Sequence, residues 1–493
     1  MLKEPVWLLL PIVLPIIAGV FVPLMHFKSR TSREIFVTAF VVINTIITYI
    51  LIFNGPSETF TLVDMANDLS IGLKVDGLSK VFACLVASLW PLATCFAFEY
   101  MKHEKRENYF FTFYTASYGI TLGVAFAANV FTLYLFYELL TLITLPLVMH
   151  SMDPESIRAG MSYIKYSIGG AAFAFISLIF IMIFGNTTEF VYGGVLNLDA
   201  IGNRENLLLL AYVFAFFGFG VKAAVFPFHG WLPKASVAPT PVTALLHAVA
   251  VVKSGVFAIM RITYYSFGTD FLRDTWAQWL VMIFALITIL VGSSMAVKEH
   301  HIKRRLAYST VSNLSYILFG VTLMTPAGLV GGLTHMIFHA IMKIALFFCI
   351  GAIMYKTHKA YLHEIEGFGT KMVNVFIVFT IASAGLVGIP PLTGFISKWN
   401  LASAAVETGG IIPYIGVIVL VVSAVLTAIY LFTIVVKAYF PAHGFKHSSI
   451  KGVKDPNWYM LMPLWVFAAA IIIFGIHSQP LIDYFSKIAA GLV

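Results

Sequence analysis

An all-α polytopic membrane protein is the fold class the sequence predicts, on three observations. Of 493 residues, 60% are hydrophobic and 11% charged, where soluble domains carry roughly 45–50% and about 25%. Mean hydropathy is +0.90. Apolar runs near twenty residues recur from end to end, and about 20 such residues cross a ~30 Å hydrocarbon core. A water-soluble globule is excluded.

Apolar windows between Gly, Pro and charged punctuation give fourteen spans, near 5–25, 34–53, 77–98, 110–128, 130–150, 160–184, 207–228, 241–262, 279–297, 305–324, 329–355, 373–404, 411–440 and 458–482. The first run, to about Leu24, reads as a retained helix because it lacks a small-residue cleavage site. The net charge of +8 resides in short connections, so it reports orientation and not nucleic acid. One side collects 19 Lys and Arg, among them Lys28, Arg30, Arg33, Lys102, Lys105, Arg106, Lys298, Lys303, Arg304, Arg305, Lys446, Lys451 and Lys454, and the other side 7. The positive-inside rule puts the 19 in the cytoplasm and both termini outside. The basic loop His300–Arg305 also suits anionic lipid or a partner, although topology alone accounts for it. Cys84, Cys95 and Cys349 lie in apolar stretches without CxxC spacing, so no iron–sulfur cluster, structural zinc or other cofactor is expected.

With charges near span ends counted in the connections, five lysines remain inside spans, Lys165, Lys222, Lys253, Lys343 and Lys398, with one carboxylate, Glu138. A charge at the bilayer centre costs about 2.5–3.5 kcal/mol on insertion scales, and such residues usually mark ion or proton paths. Lys165, at the start of its span, has the alternative of snorkelling to the interface. For the others the alternative is a static interhelical ion pair or a snorkelling side chain. Burial favours the neutral amine and a nearby carboxylate the ammonium, so a buried lysine beside a carboxylate is a switchable proton site.

Two segments share the form P-x-x-G-aromatic-aliphatic-x-K, Pro227–Lys234 and Pro391–Lys398. Each lies at an interrupted apolar run, as in transporters whose internal repeats place broken helices at the ion site. The run 373–404 would be ~48 Å long if straight, more than the membrane needs, and Ile389-Pro390-Pro391 is the expected break. His335, His339 and Lys343 follow at i, i+4 and i+8, a single polar stripe. A proton or water path, interhelical hydrogen bonding and a zinc site are the competing readings, but the stripe has neither the glutamate of HExxH nor an obvious third ligand, so no metal is assigned. His247 precedes Lys253 by six residues. Gly218-Phe-Gly220-Val-Lys-Ala223 fits a nucleotide fingerprint only formally, since no βαβ unit surrounds it.

Four motifs carry a resemblance over almost the whole chain: Val75-Asp76-Gly77-Leu78-Ser79; Leu135-Phe136-Tyr137-Glu138; Phe226–Ala235 followed by Pro239–Ala248; and Arg305–Ser312. With them the chain resembles the antiporter-like membrane subunits shared by Mrp-type multisubunit Na⁺/H⁺ antiporters and the proton-pumping arm of respiratory NADH:quinone oxidoreductase. The resemblance implies about 14 transmembrane helices with two inverted five-helix repeats and broken helices 7 and 12. Segments 1–109, 110–262, 279–440 and 458–493 would hold helices 1–3, the repeat of helices 4–8, the repeat of helices 9–13, and helix 14. It further implies that Glu138 pairs with Lys222, that Lys253, His247, His335, His339 and Lys343 occupy central positions, and that Lys398 is the terminal group on helix 12. Lys165 is carried as part of the supporting polar path. The internal P-x-x-G match would instead pair Lys234 with Lys398. Length and pattern are most similar to the Mrp D subunit, with a respiratory or hydrogenase paralogue as the alternative.

The functional expectation is a proton-conducting, non-enzymatic subunit coupled to sodium efflux in a bacterial cytoplasmic membrane. Its partners would be other membrane subunits, protons, Na⁺ and the lipid bilayer. The alternatives are a redox-driven pump subunit and a scaffold with static ion pairs. A scaffold would tolerate Lys→Arg at 222 and 398, whereas a titrating relay would not. Glu138 alone supplies too few oxygens to assign a sodium site.

Overall fold

The computed structural model describes residues 3–65, 69–442, 450 and 452–493; Lys446 and Lys451, counted above with the basic side, lie outside them. The chain is mostly helical, and helix occupies every one of the predicted windows. Among the described residues, ten helices are long and apolar enough to cross a membrane, with shorter apolar helices between them. The Thr240–Phe267 and Pro326–Thr357 segments run through the middle, their most apolar windows 100% and 94% buried. Peripheral helices turn large apolar side chains outward, among them Ile46, Phe53, Ile168 and Ile418. That inversion of the soluble pattern is what a hydrocarbon solvent requires.

Two predicted spans are broken as expected. The Glu205–Gly220 helix stops, and the chain resumes with a 3-10 turn at Phe228–Gly230 that leads into the short α-helix Trp231–Ala235. The Val373–Val387 helix ends at Gly388, whose φ of +98° is the left-handed cap that ends many helices, and Thr393–Thr408 follows. A Cβ on Gly394 would lie 1.9 Å from the Gly385 carbonyl oxygen, so only glycine lets the two half-helices meet there. Gly218, in the false nucleotide motif, has the corresponding use: its Cβ would fall 2.4 Å from the Ala174 amide, closing Glu205–Gly220 onto Pro154–Phe184.

Three features depart from the sequence reading. The span at 241–262 is also interrupted, as Thr240–Ala248 and Val251–Arg261, and continues as a π-helical turn over Ile262–Phe267. The fold is not purely α: Phe60–Asp64 and Ser70–Leu73 form an antiparallel hairpin. The last span ends at Ile476, and Gln479–Ala489 forms a separate helix that turns Phe485, Ile488 and Ala489 inward.

The connections sort into two mutually contacting sets. The hairpin bonds to the 127–129 turn through Asn129 Nδ2 and Ser70 O (2.9 Å). Val195 N donates to Ser266 O (2.9 Å), and the Tyr192 hydroxyl to Ala489 O (2.5 Å). These connections share the end of the bundle that holds the C-terminal helix. At the opposite end Arg30 and Arg33 pair with Glu107, the His150 ring bonds to Lys105 O (2.8 Å), and Ile302 N donates to Ala360 O (2.9 Å). That second end is the basic one.

Candidate functional site

Breaking a helix frees carbonyls that must find donors away from water. Around Lys222 they do: the Tyr137 hydroxyl donates to Phe219 O (2.9 Å) and Trp231 Nε1 to Val221 O (2.7 Å). The break thus holds the Lys222 side chain fully buried against the Val130–Val148 helix. Its ammonium lies 3.6 Å from Glu138 Oε1, donates to the Tyr137 carbonyl and sits 3.2 Å from the Tyr137 ring centroid. Glu138 is a quarter exposed, so the pair has one buried and one accessible member. From the other side Gly255 closes on the Lys222 backbone, where a Cβ would sit 3.0 Å from Lys222 C.

Further in, Lys253 Nζ meets His339 Nδ1 at 2.9 Å, both side chains fully buried. An ammonium only donates, and a neutral imidazole nitrogen either donates or accepts. One proton therefore lies between them, on lysine with Nδ1 bare or on Nδ1 with lysine neutral, and either arrangement keeps the bond. One turn away, His335 stacks near His339 with ring centroids 5.9 Å apart. Its Nε2 faces Asn313 Oδ1 (3.3 Å), and Asn313 Nδ2 donates to Ser309 O (2.8 Å), which fixes the amide so that His335 Nε2 carries a hydrogen. His335 Nδ1 meets Ser397 Oγ at 2.9 Å, and that hydroxyl is also 3.2 Å from Gly394 O. Its single hydrogen has two destinations: toward His335 when the ring is neutral, toward Gly394 when Nδ1 is protonated.

Lys343 donates to Ser309 Oγ (2.7 Å) and Leu306 O (3.2 Å). Ser309 continues to the Tyr430 hydroxyl (2.7 Å) and Tyr430 to Thr427 (3.2 Å). His247 Nε2 lies 3.3 Å from Ser236 Oγ, with the Phe347 ring 4.8 Å away. Lys398 binds backward across its own break, donating to Leu386 O (2.8 Å) and Val387 O (2.9 Å). A cation there meets both the orphan carbonyls and the negative end of the Val373–Val387 dipole. Its ammonium is 5.3 Å from the Tyr316 ring, which in turn stacks on His335.

From Ser397 the same face of Thr393–Thr408 continues through Asn400, Ser403 and Glu407, a spacing of three to four residues. Asn400, Ser403 and Glu407 line a 360 Å³ cavity that also borders the C-terminal helix. Asn400 Nδ2 is buried without a hydrogen-bond partner.

Lys165 stands apart from this cluster in the structure. It is exposed on the outer surface, beside a groove lined by Tyr166, Phe173 and Phe228, and joins none of these contacts. Lys234 is likewise exposed, so the P-x-x-G repeat marks the breaks and not equivalent lysines. Two charges assigned above to connections are buried. Arg261 pairs with Asp76 at 2.5 and 2.7 Å, and Lys303 donates to the Ala238 carbonyl. Ser309, Asn313, Ser397 and Tyr137 join the site without a signal of their own in the sequence, although Ser309, Ser397 and Tyr137 sit inside the segments quoted above.

Comparison with known proteins agrees with this architecture. Residues 127–427, more than half of the chain, match the family described as NADH:quinone oxidoreductase/Mrp antiporter, TM. Residues 63–111 match the NADH-ubiquinone oxidoreductase (complex I), chain 5 N-terminus. The chain is 29% identical over 435 residues to the N subunit of NADH-quinone oxidoreductase from Desulforudis audaxviator, covering 84% of this chain and 83% of that one. It is also 29% identical over 500 residues to the A subunit of the Na(+)/H(+) antiporter from Alkalihalophilus pseudofirmus, covering 94% of this chain but 60% of that longer relative. A chain in the solved Mrp complex from Dietzia sp. DQ12-45-1b has the same fold, with a TM-score of 0.83 at 23% identity over 98% of this chain and 97% of that one. The archaeal membrane-bound sulfane sulfur reductase contains a chain equally similar. With the family pattern covering the helices that carry Glu138, Lys222, Lys253, His339 and Lys398, the chain belongs to the NADH:quinone oxidoreductase/Mrp antiporter transmembrane family.

Proposed function

We propose that the chain is the proton-conducting subunit, similar to the Mrp D subunit, of a multisubunit Na⁺/H⁺ antiporter in a bacterial cytoplasmic membrane. In this reading it is a secondary transporter and not an enzyme, crosses fourteen times with both termini outside, and works beside other membrane subunits. Residues 110–262 and 279–440 act as two inverted repeats. The observation that carries the reading is the Lys253–His339 contact, because it joins one helix from each repeat. Glu138–Lys222 lies on one side of it and Lys398 on the other. Protons enter through half-channels, and each protonation biases its neighbour because like charges in low dielectric repel. The two contacting sets of connections support fourteen crossings, and the basic end supports the orientation. The name of the Alkalihalophilus relative supports sodium as the exchanged cation.

A second reading, a redox-driven pump subunit, is favoured by the near-equal coverage shared with the Desulforudis relative. The test is Na⁺-dependent dissipation of ΔpH in everted vesicles carrying the whole operon, with Glu138→Ala and Lys398→Ala alongside wild type. Loss of exchange with assembly intact supports the relay. Unchanged exchange removes it, and NADH-driven, Na⁺-independent acidification in wild type selects the redox reading.

A further inference from the structure

A cleft of 340 Å³ lies between the Arg30–Asn54, Gly77–Tyr100, Pro326–Thr357 and Trp458–Ile476 helices, roofed by the C-terminal Gln479–Ala489 helix. Its walls are apolar, including Leu85, Leu89, Ile337, Ile341 and Phe485. The polar exceptions are Lys80 and Tyr484 at its mouth and, deeper, Ser88, whose hydroxyl is already bonded to Cys84 O and Tyr49 (both 2.6 Å). Asp76, one turn before Lys80, is committed to Arg261, and no described side chain accepts a hydrogen bond from the Lys80 ammonium or pairs with the Tyr484 hydroxyl.

We propose that this cleft binds one anionic phospholipid, with the phosphate at Lys80 and Tyr484 and an acyl chain in the apolar slot. The dimensions agree. Lys80 is in the first turn of its helix, and the deepest lining residues on that helix, Ser88 and Leu89, are eight and nine positions on, ~12 Å at 1.5 Å per residue. Half of a ~30 Å hydrocarbon core is about 15 Å, so the slot has the depth of one leaflet. Lys80 supplies charge complementarity for a phosphate, and an amphipathic helix capping the mouth is the interfacial element expected at headgroup level.

The lipid would bear on the site itself. At ~100° per residue, Ile337 and Ile341 lie about 200° and 240° around from His335, opposite the face of His335, His339 and Lys343. The acyl chain therefore backs the helix whose other face carries the central contacts. This holds whether cation exchange or redox chemistry drives the complex.

The test uses the assembled complex purified in mild detergent, with retained phospholipids extracted and compared with the source membrane. Wild type should retain phosphatidylglycerol above its bulk share. Lys80→Gln should retain about fivefold less, the affinity one lysine confers at an anionic surface, while Lys80→Arg keeps it. Cys84→Phe, which fills the slot and leaves Lys80, should expel the lipid without loss of assembly. Bulk lipid composition in wild type, undiminished phosphatidylglycerol in Lys80→Gln, or crosslinking of Cys84 to a neighbouring protein of the complex would each overturn the proposal, the last by giving the cleft a protein occupant.

Discussion

Lys253 and His339, from two helices 86 positions apart in sequence, face each other at 2.9 Å with no carboxylate in contact with either among the described residues. A pair of basic side chains this close is stable only if one of them lacks a proton, since two buried like charges repel strongly. Lys253→Arg is expected to lower proton flux at least about tenfold, because guanidinium hardly deprotonates, while the complex assembles normally. Flux in vesicles and subunit content on a blot separate the two readouts. Wild-type flux in Lys253→Arg would make the contact a static one.

The proposed role of Lys398 in conduction can be separated by substitution from its bonds to the Leu386 and Val387 carbonyls. Lys398→Met leaves Leu386 O and Val387 O without their donor, at about 1–3 kcal/mol for each buried acceptor left unsatisfied. Its melting temperature should therefore fall along with flux. Lys398→Arg retains donors for both carbonyls, so it should melt like wild type and still fail to conduct.

Which residues were legible follows from what each costs in a membrane. Glu138, Lys222, Lys253, Lys343 and Lys398 stand out because a charge inside a twenty-residue apolar run is expensive and visible. Ser309, Asn313 and Ser397 cost little as neutral groups on helices, and the histidine or lysine that each meets lies 22 to 62 positions away. Arg261 and Lys303 sit at span ends, where counting assigns them to connections, and only packing shows them buried. The breaks at Gly220 and Gly388 were written in Pro and Gly, whereas the one between Ala248 and Val251 has neither. Lys165 is the converse case: it lies within a predicted span, yet its side chain is exposed on the outer surface, which a one-dimensional window cannot show.

Glu407 ends the polar face that begins at Ser397, and it stands in the wall of the 360 Å³ cavity. If the proposed proton path opens into this cavity, a carboxylate in its wall concentrates protons locally. Glu407→Gln should slow flux severalfold, most at alkaline pH where protons are scarce, and Glu407→Asp should restore it. A loss equal at all pH values would place Glu407 outside the conduction path.

The Asp76–Arg261 pair is expected to matter for folding and not for flux. Arg261 is 1% exposed, and it also donates to Ser79 Oγ (2.8 Å). Asp76→Ala strands a buried guanidinium, at about 3–5 kcal/mol. The expected outcome is poor accumulation in the membrane, with normal flux per assembled complex in whatever survives. Normal yield with reduced flux would move the pair into the transport machinery.

His301 gives a pH dependence away from the helices. It precedes the Ile302–Thr322 helix, and its Nδ1 faces the Arg304 amide at 3.5 Å. Burial, with Arg304 and Lys303 beside it, pushes its pKa down to about 4, from about 6.5 for an unperturbed imidazole. The folded state thus favours the neutral ring, and the sign follows: its stabilisation is complete above about 6.5 and is lost as pH falls from there toward 4. Melting curves of the purified complex should show a decline over that interval that is shallower in His301→Asn, which keeps an acceptor at the helix start without a titrating ring. An identical decline in both proteins would assign the acid sensitivity to another group.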